Sequence, residues 1–575
     1  MPTPSTHRPL PKRWRIAHKI PRDIHQALND FSPLMRQLLY NRGFEDNKPA
    51  GRFIRGEVAA STDPNLLKTM EKAIERLHQA VTAKERVAVY GDYDVDGVTS
   101  TALLVEFLSL LGLKARAYIP NRFDEGYGLN KEALQTLAEE GQDLIITVDC
   151  GVRSVEEVAY ANQQGLDVII SDHHHPAEKL PPAIAVINPK QDGDPYPEKS
   201  LAGVGLAYKL VQAYLMAHPQ DGLRAENWLD LVAVGTVADL APLQGENRAL
   251  VKQGLTRIRR HPRQGLFSLA QVAGMKLDQC EASNIGFMLG PRLNAAGRLD
   301  SALTAFDLLM SREVFEAGRL AQELDVQNRQ RQDLTRRIQE LAAEKVLEED
   351  PAAFLFFAAD PDFNEGVVGL AASRLVETYY RPAVIAHAGE DFTVASCRSI
   401  PEFHITKALD ACADLLERHG GHAAAAGFTV RNENRDALVA RLKAIAEEQL
   451  VGMDLRPEMH IDREIKLDKL SYDYIPGILE DLNLLEPTGY GNPEPIFASR
   501  GVEIRQARLV GREGKHLKLL LRAGPHHFDA IAFRQGYWME ELPEAIDIAY
   551  RFEVNEYMGR TSLQLNIRDI KPSGG

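Results

Sequence analysis

The period of the apolar positions changes along the chain, and the changes divide it. From about residue 85, short apolar runs alternate with amphipathic stretches. RVAVYG (86–91), ARAYIP (115–120), DLIITVDCG (143–151) and LDVIISDHH (166–174) are rich in Val and Ile, the pattern of strands covered on both faces. Between them TSTALLVEFLSLLG (99–112), NKEALQTLAEEG (130–141) and SVEEVAYANQQG (154–165) read as helices. Alternation of this kind predicts a parallel sheet wrapped by helices. Residues 311–350 contain no proline and one glycine, and a sparse apolar stripe runs through polar positions. That predicts one exposed helix on the order of 50 Å long, and a domain boundary along it. AAFLFFAAD, VVGLAASRLVETYY and PAVIAHAG then predict a second, smaller α/β domain ending near residue 450. From about residue 456, GVEIRQARLVGREGKHLKLLLRAG and IAYRFEVNEYMGRTSLQLNIRDI alternate apolar and polar residues around glycine turns. Antiparallel strands closing a small barrel fit that pattern.

The expected organisation is an N-terminal extension over 1–50, a parallel-sheet domain over 51–310 and a connecting helix over 311–350. A smaller α/β domain over 351–455 and a β-barrel over 456–575 complete it. A length of 575 residues agrees with several cores. The basic, proline-interrupted start MPTPSTHRPLPKRWRI lacks the apolar region of a secretory signal and reads as a tail. No apolar run reaches membrane-spanning length, so no membrane partner is expected. The four cysteines show no C-x-x-C spacing, which argues against a zinc ribbon or disulfide framework and for a reducing cytoplasm. A net charge of −14 describes the whole surface and does not exclude a nucleic-acid groove.

The chemistry gathers at predicted strand ends. GDYDVDG brings Asp92, Asp94 and Asp96 just after the first strand. Asp149 follows the third, Asp172, His173, His174 and His175 follow the fourth, and Asp239 ends the apolar run LDLVAVGTVADLAPL. In open α/β sheets this edge binds ligands. Carboxylates brought together repel unless cations lie between them. Oxygen ligands with an imidazole or two suit Mn2+ or Mg2+ better than a sulfur-rich zinc site. Two ions sharing one carboxylate would make a phosphoryl-transfer centre. Taken singly, a D-x-D after a strand is a loop or helix cap, and Asp-His-His is an ordinary polar loop; the joint pattern favours a site.

These motifs resemble a known family. GDYDVDG, TVDCG, SDHHH and GTVADL, in this order, are similar to the four motifs of the DHH phosphoesterases. GGHAAAAGF (420–428) resembles the glycine-glycine-histidine motif of the associated DHHA1 domain. SLAGVGLAYKL (200–210), GPRLNAAGRLD (290–300), EGVVGLAASRL (365–375) and YGNPEPIF (490–497) are similar to the RecJ branch, bacterial single-strand-specific 5′→3′ DNA exonucleases. The resemblance covers all but the first 40 or so residues. It implies a parallel-sheet DHH domain, a long helix, a DHHA1 domain and an oligonucleotide-binding (OB) barrel.

The resemblance also implies roles. Asp94, Asp96, Asp149, His173 and Asp239 would hold two ions, Mn2+ or Mg2+, with Asp149 bridging. His174 would contact the scissile phosphate or help the leaving group, and Asp92 would be a ligand or would orient one. Arg122, Ser396 and Arg398 would hold a 5′-terminal phosphate of single-stranded DNA, while Asn294, Arg298 and His422 would line the backbone path. The strand would thread between the α/β domains and leave as 5′-mononucleotides. A monomer serving recombination and repair, with a single-strand-binding protein and a RecQ-type helicase as partners, is what the family suggests. In the barrel, Arg505, Arg508, Arg512, Lys515, Lys518 and Arg522 with Phe528, Phe533, Tyr537 and Tyr557 fit a basic groove with stacking platforms. A phosphodiesterase for dinucleotides would need no such barrel, and a metal-free replication scaffold would not need the acidic set.

Overall fold

The computed structural model describes residues 10–574, other than 59, 61, 122–124, 127, 471–473, 558 and 559. It forms two units, one of Lys48–Arg331 with Leu484–Pro493, the other of Met1–Asn47, Gln332–Asn483 and Glu494–Gly575.

In the first unit five strands make one parallel sheet: β1 (Val87–Gly91), β2 (Ala115–Tyr118), β3 (Leu144–Val148), β4 (Asp167–Ser171) and β5 (Ala185–Ile187). Their spatial order is β2-β1-β3-β4-β5, so the order reverses between β1 and β3. A doubly wound sheet opens its binding crevice at that point, outside the carboxyl ends of the strands. The register sharpens the argument. Gly91 pairs with Val148, Val148 with Ser171, and Ser171 with Ile187. The next residue of each strand, Asp92, Asp149, Asp172 and Asn188, therefore leaves the sheet in one row. β1 and β3 are buried throughout, as a sheet covered on both faces requires.

The helix Val95–Leu110 follows β1 and is buried on nearly all sides. Its polar positions survive burial because each hydroxyl bonds one turn back: Thr99 to Val95 O at 2.8 Å, Ser100 to Asp96 O at 2.6 Å, Thr101 to Gly97 O at 2.7 Å. Gly97 is required by crowding. A Cβ there would lie 2.3 Å from the carbonyl oxygen of Asp92.

The expected connecting helix is one element, Val314–Glu349, 36 residues long. Beyond it β6 (Phe356–Asp360), β7 (Ala383–Ala388), β8 (Phe392–Arg398), β9 (Leu416–Gly421) and β10 (Ala425–Arg431) form a mixed sheet in the order β9-β10-β8-β7-β6. GGHAAAAGF (420–428) forms the tip and return strand of the β9–β10 hairpin. The β8–β10 register explains this, since Ala425, Ala426 and Gly427 lie across from Arg398, Cys397 and Ser396 in the sheet.

Strands β11 (Phe497–Val510), β12 (His516–Ala523), β13 (His526–Ala532), β14 (Ala545–Tyr557) and β15 (Arg560–Pro572) close into the expected barrel through β11–β14 pairing. One pair, β13 with β15, is parallel. Part of the basic N-terminal segment is not a tail. Arg13–Ile16 is a strand paired in parallel with Glu458–Ile461. Trp14 and Ile16 pack on Met459 and Ile461, and Trp14 Nε1 donates to Asp569 at 2.7 Å. Apolar residues hidden among prolines and arginines anchor it.

No helix among the described residues is long and apolar enough to cross a membrane.

Candidate metal centre and substrate contacts

The row of strand ends and the two helix ends beside it bring together Asp92, Asp94, Asp96, Asp149, His173, His174 and Asp239. Three groups have ligand atoms within 4.8 Å of one another: Asp149, His173 and His174; Asp96, His173 and Asp239; Asp92, Asp94 and Asp149. Each member has a local cause. Asp94 caps the helix Val95–Leu110, its Oδ1 accepting from Asp96 N at 2.8 Å and Gly97 N at 3.1 Å. Asp96 is wholly buried, and its carboxylate accepts from Gly203 N at 2.6 Å and Val204 N at 2.8 Å. Those amides open the helix Gly203–Ala217, where a helix N-terminus favours an anion. SLAGVGLAYKL thereby acquires a structural reason.

Asp149 adopts φ of 61°, strained backbone for a side chain of this kind. Gly203 makes room for it, since a Cβ at Gly203 would lie 2.8 Å from the Asp149 Cβ. Asp239 does not end a strand. The apolar run before it is the helix Leu229–Ala238. Its carboxylate therefore sits at a helix C-terminus, the end that favours cations.

Electrostatics favour a bound cation. Burial and then the neighbouring Asp96, Asp94, Asp92 and Asp239 hold the Asp149 carboxyl well above its usual range. Burial, Asp96 and Asp94 push Asp239 up to about 9. Burial and Asp94 push Asp96 up to about 7, although the amides of Val204 and Gly203 oppose this. His173 is driven down to about 3 by burial and by His174, so it is a neutral imidazole at neutral pH. Its Nε2 faces Asp149 Oδ1 at 3.0 Å. Both are buried atoms without a hydrogen-bond partner. A carboxylate oxygen and an imidazole nitrogen that face each other in this way fit a divalent cation, which needs both of them deprotonated. The oxygen-rich set with histidine suits Mn2+ or Mg2+.

His174 is held differently. Asp172 is buried, and its Oδ1 lies 2.8 Å from His174 Nδ1 and accepts from the His174 backbone N at 3.0 Å. Its other oxygen accepts from Val152 N at 2.9 Å. Burial would raise the Asp172 carboxyl, but the bond to His174 keeps it low. Burial would lower His174, but Asp172 raises it above its ordinary value. An ionised carboxylate only accepts, so Nδ1 carries the proton. Asn188, fully buried, donates to His174 O at 2.8 Å.

Sequence reasoning gave no role of their own to Asp172, Asn188 or Lys190. Lys190 is half-buried just past β5, and burial lowers its ammonium while Asp239 and Asp172 raise it. INPK after a further apolar strand was the available signal. His175 is exposed, as expected of a loop residue. Asn294 Oδ1 accepts from Val95 N at 3.1 Å, so this residue braces the acidic loop. Arg298 is half-exposed on the same helix, Gly290–Leu299. Arg122 lies outside the described residues.

In the second unit, Ser396 and Arg398 share one face of β8. The helix Glu365–Tyr379 passes over them at Gly369, where a Cβ would lie 3.0 Å from Arg398 Nη2 and 3.3 Å from Ser396 Oγ. Arg398 and Ser396 pair with Ala425 and Gly427 of β10. His422 is exposed at the adjoining hairpin tip, its N donating to Ala425 O at 2.7 Å.

The barrel corrects two expectations. Phe528 is only 3% exposed and belongs to the interior, because its position in β13 points inward. Phe533 is exposed, edge-on to His516 at 5.3 Å. Tyr537 is half-buried, and the side chains of Arg512 and Tyr557 lie outside the described residues. The basic row is also partly neutralised: Arg505 and Arg522 pair with Glu503, Lys515 with Glu513, and Lys518 with Asp529 at 3.8 Å.

A parallel sheet with carboxylates and a histidine pair at its switch point, followed by a mixed α/β domain and a barrel, defines a DHH-type phosphoesterase. Family models agree: the DHH family N-terminal domain matches residues 86–236, the DHHA1 domain 350–448, and the RecJ OB domain 461–569. The single-stranded-DNA-specific exonuclease RecJ of Bacillus subtilis is 38% identical over 98% of this chain and 71% of that one. RecJ from Thermus thermophilus in complex with Mn2+ superposes with a TM-score of 0.83 at 32% identity, covering 98% of this chain and 80% of that one. Its complex with Mg2+ gives 0.77 at 31% identity over 98% and 79%. The chain belongs to the RecJ family.

The carboxyl shifts carry a prediction. Asp239 and Asp96 hold protons in the fold at pH values where the unfolded chain, with carboxyls near about 4, has lost them. Each contributes stability below about pH 4 that is lost as pH rises through its folded value. His173 acts oppositely, but only below its unfolded value near about 6.5. From about pH 6.5 to 9 the metal-free protein should therefore melt at falling temperature. Mn2+ needs the deprotonated carboxylates, so the rise in Tm on adding it should be larger at about pH 8.5 than at about 6.5. Thermal melts in a chelator and in Mn2+ check this, and an equal rise at both values would sink it.

Proposed function

We propose that this chain degrades single-stranded DNA from its 5′ end, releasing 5′-mononucleotides, with two Mn2+ or Mg2+ ions at the strand-end centre. The observation that carries the reading is the facing pair Asp149 Oδ1 and His173 Nε2, buried and unpartnered at 3.0 Å inside a ring of carboxylates. Asp94, Asp96, Asp149, His173 and Asp239 would hold the ions, with Asp149 shared between them. When bound, such ions lower the pKa of water and neutralise charge on the reacting phosphate.

The chain's own residues do the rest. His174, its Nδ1 committed to Asp172, presents Nε2 to the scissile phosphate and can give a proton to the leaving oxygen. Ser396 and Arg398 take the 5′-terminal phosphate, for which a guanidinium fork is suited, and His422 at the adjoining hairpin tip borders the backbone path. Arg298 borders the backbone path on the helix that also carries Asn294. An end-phosphate contact sets polarity, because hydrolysis then starts at a fixed distance from that end.

Digestion of a long single strand in Mn2+, labelled at either end, beside its duplex and a diadenylate, tests the reading. Mononucleotides should appear first from the 5′ label, with the duplex spared. Cleavage of the diadenylate alone would overturn it. Arg398→Ala should remove most of the preference for a 5′-phosphorylated over a 5′-hydroxyl end. A charge-assisted contact of about 1.5–3 kcal/mol corresponds to roughly 10–100-fold. Competition between the two ends reads it directly, and an unchanged ratio would remove Arg398 from the end site.

A further inference from the structure

The first part of YGNPEPIF lies in the same unit as the metal centre. Leu484–Pro493 is a loop of that unit, although the chain around it belongs to the other. Arg248 holds it. This guanidinium is 1% exposed and donates to the carbonyls of Leu485 at 2.9 Å, Pro487 at 2.8 Å and Glu486 at 2.9 Å. Its Nε bonds Phe53 O at 2.8 Å, and it lies over the Phe53 ring at 4.0 Å. Asn492, equally buried, donates to Leu485 O and Pro487 O from the loop itself.

The held loop leans on one short segment. Leu243 N donates to Tyr490 O at 2.7 Å, and Gln244 Nε2 to Gly491 O at 2.6 Å. Gly489 and Gly491 touch Leu243 and Pro242 so closely that an added Cβ would lie 2.8 Å and 3.0 Å away. That segment is the continuation of Asp239. The helix ends in a tight turn, with Ala241 N donating to Thr236 O and Leu240 at φ of 59°. Asp239 sits inside this turn, so its carboxylate goes where residues 240–244 fix the backbone.

We propose that Arg248 is a positioning residue for the metal centre: through the Leu484–Pro493 loop it fixes the turn that aims Asp239. The inference rests on Asp239 being a metal ligand. A guanidinium suits the task because its donors, set in a rigid fork, can bind several carbonyls at once, which an ammonium cannot match. Partners that orient metal ligands are worth about 10–100-fold in metal affinity or activity.

The test uses the full chain with Arg248→Lys, Gly491→Ala and, as reference, Asp239→Ala. Gly491 is exposed with φ of 76°, so its variant strains the loop at the surface and leaves the core intact. Calorimetric titration with Mn2+ alone is read beside kcat and KM on single-stranded DNA, with Tm as a control. Both loop variants should bind Mn2+ at least about 10-fold more weakly and lose kcat, with KM unchanged. Excess Mn2+ should restore part of the rate. A folded Gly491→Ala protein with an unchanged Mn2+ isotherm and kcat would overturn the proposal, whatever its Tm. If Asp239→Ala itself binds Mn2+ normally, the ligand assignment fails instead, and the two failures are distinct.

Discussion

Asp149→Ala should lose turnover by at least about 10³-fold, because losing bound ions removes several kcal/mol of transition-state stabilisation. The size follows from position. Asp149 belongs to two of the three ligand groups, one with His173 and His174, the other with Asp92 and Asp94. Its strained φ of 61° is what turns the carboxylate between them. The metal-free protein should not suffer. Four aspartates raise the Asp149 carboxyl, so deleting it relieves repulsion, and alanine melts in chelator should equal or exceed the wild type. The Mn2+-dependent rise in Tm should shrink strongly. Binding of 5′-phosphorylated single strands should remain measurable, since Ser396 and Arg398 lie in the other unit. Activity assays, melts with and without Mn2+, and DNA titration together check it. Full activity in the alanine variant would refute the metal assignment.

The sequence made this centre legible to an uneven degree. Apolar strands covered on both faces announced β1, β3 and β4, and a residue following such a strand has little choice of place. Asp92 and Asp149 are therefore legible from the sequence as residues of one sheet edge, and the Gly91–Val148 pairing makes them neighbours. Asp239 was found by composition but not by element, because LDLVAVGTVA is apolar all round and has no period to distinguish a buried helix from a strand. Asp172 was read only as a letter of a motif. Its bonds to Val152 N and His174 need a register between two strands that no single segment carries.

The misreadings elsewhere share a cause. Phe528 looked like a stacking platform because a basic window surrounds it, yet alternation in β13 turns it inward. Trp14 and Ile16 were lost in a proline-rich basic stretch, and their partners Met459 and Ile461 lie in a distant segment. Contacts that depend on remote pairing are what a local pattern cannot display. The grip of Arg248 on Leu485, 237 residues further along the chain, is the extreme case.

His174→Ala should lose about 10²–10⁴-fold in kcat, the range for a positioned proton donor or acceptor. The geometry leaves two readings to separate. His174 Nδ1 is 3.9 Å from Asp149 Oδ1, so by distance it could help hold an ion. It is also 2.8 Å from the buried Asp172 Oδ1, to which it donates, and a protonated nitrogen is no ligand. Under the second reading, Mn2+ affinity measured by calorimetry stays within a few-fold of wild type while kcat falls. Asp172→Asn should move the same way by about 10–100-fold, since an amide can offer a donor to Nδ1 and favour the wrong tautomer. Excess Mn2+ should rescue neither. If His174→Ala binds Mn2+ weakly and regains its rate as Mn2+ is raised, His174 is a ligand. The proton to the leaving oxygen must then come from another group, for which Lys190, within the field of both Asp239 and Asp172, is the next side chain to replace.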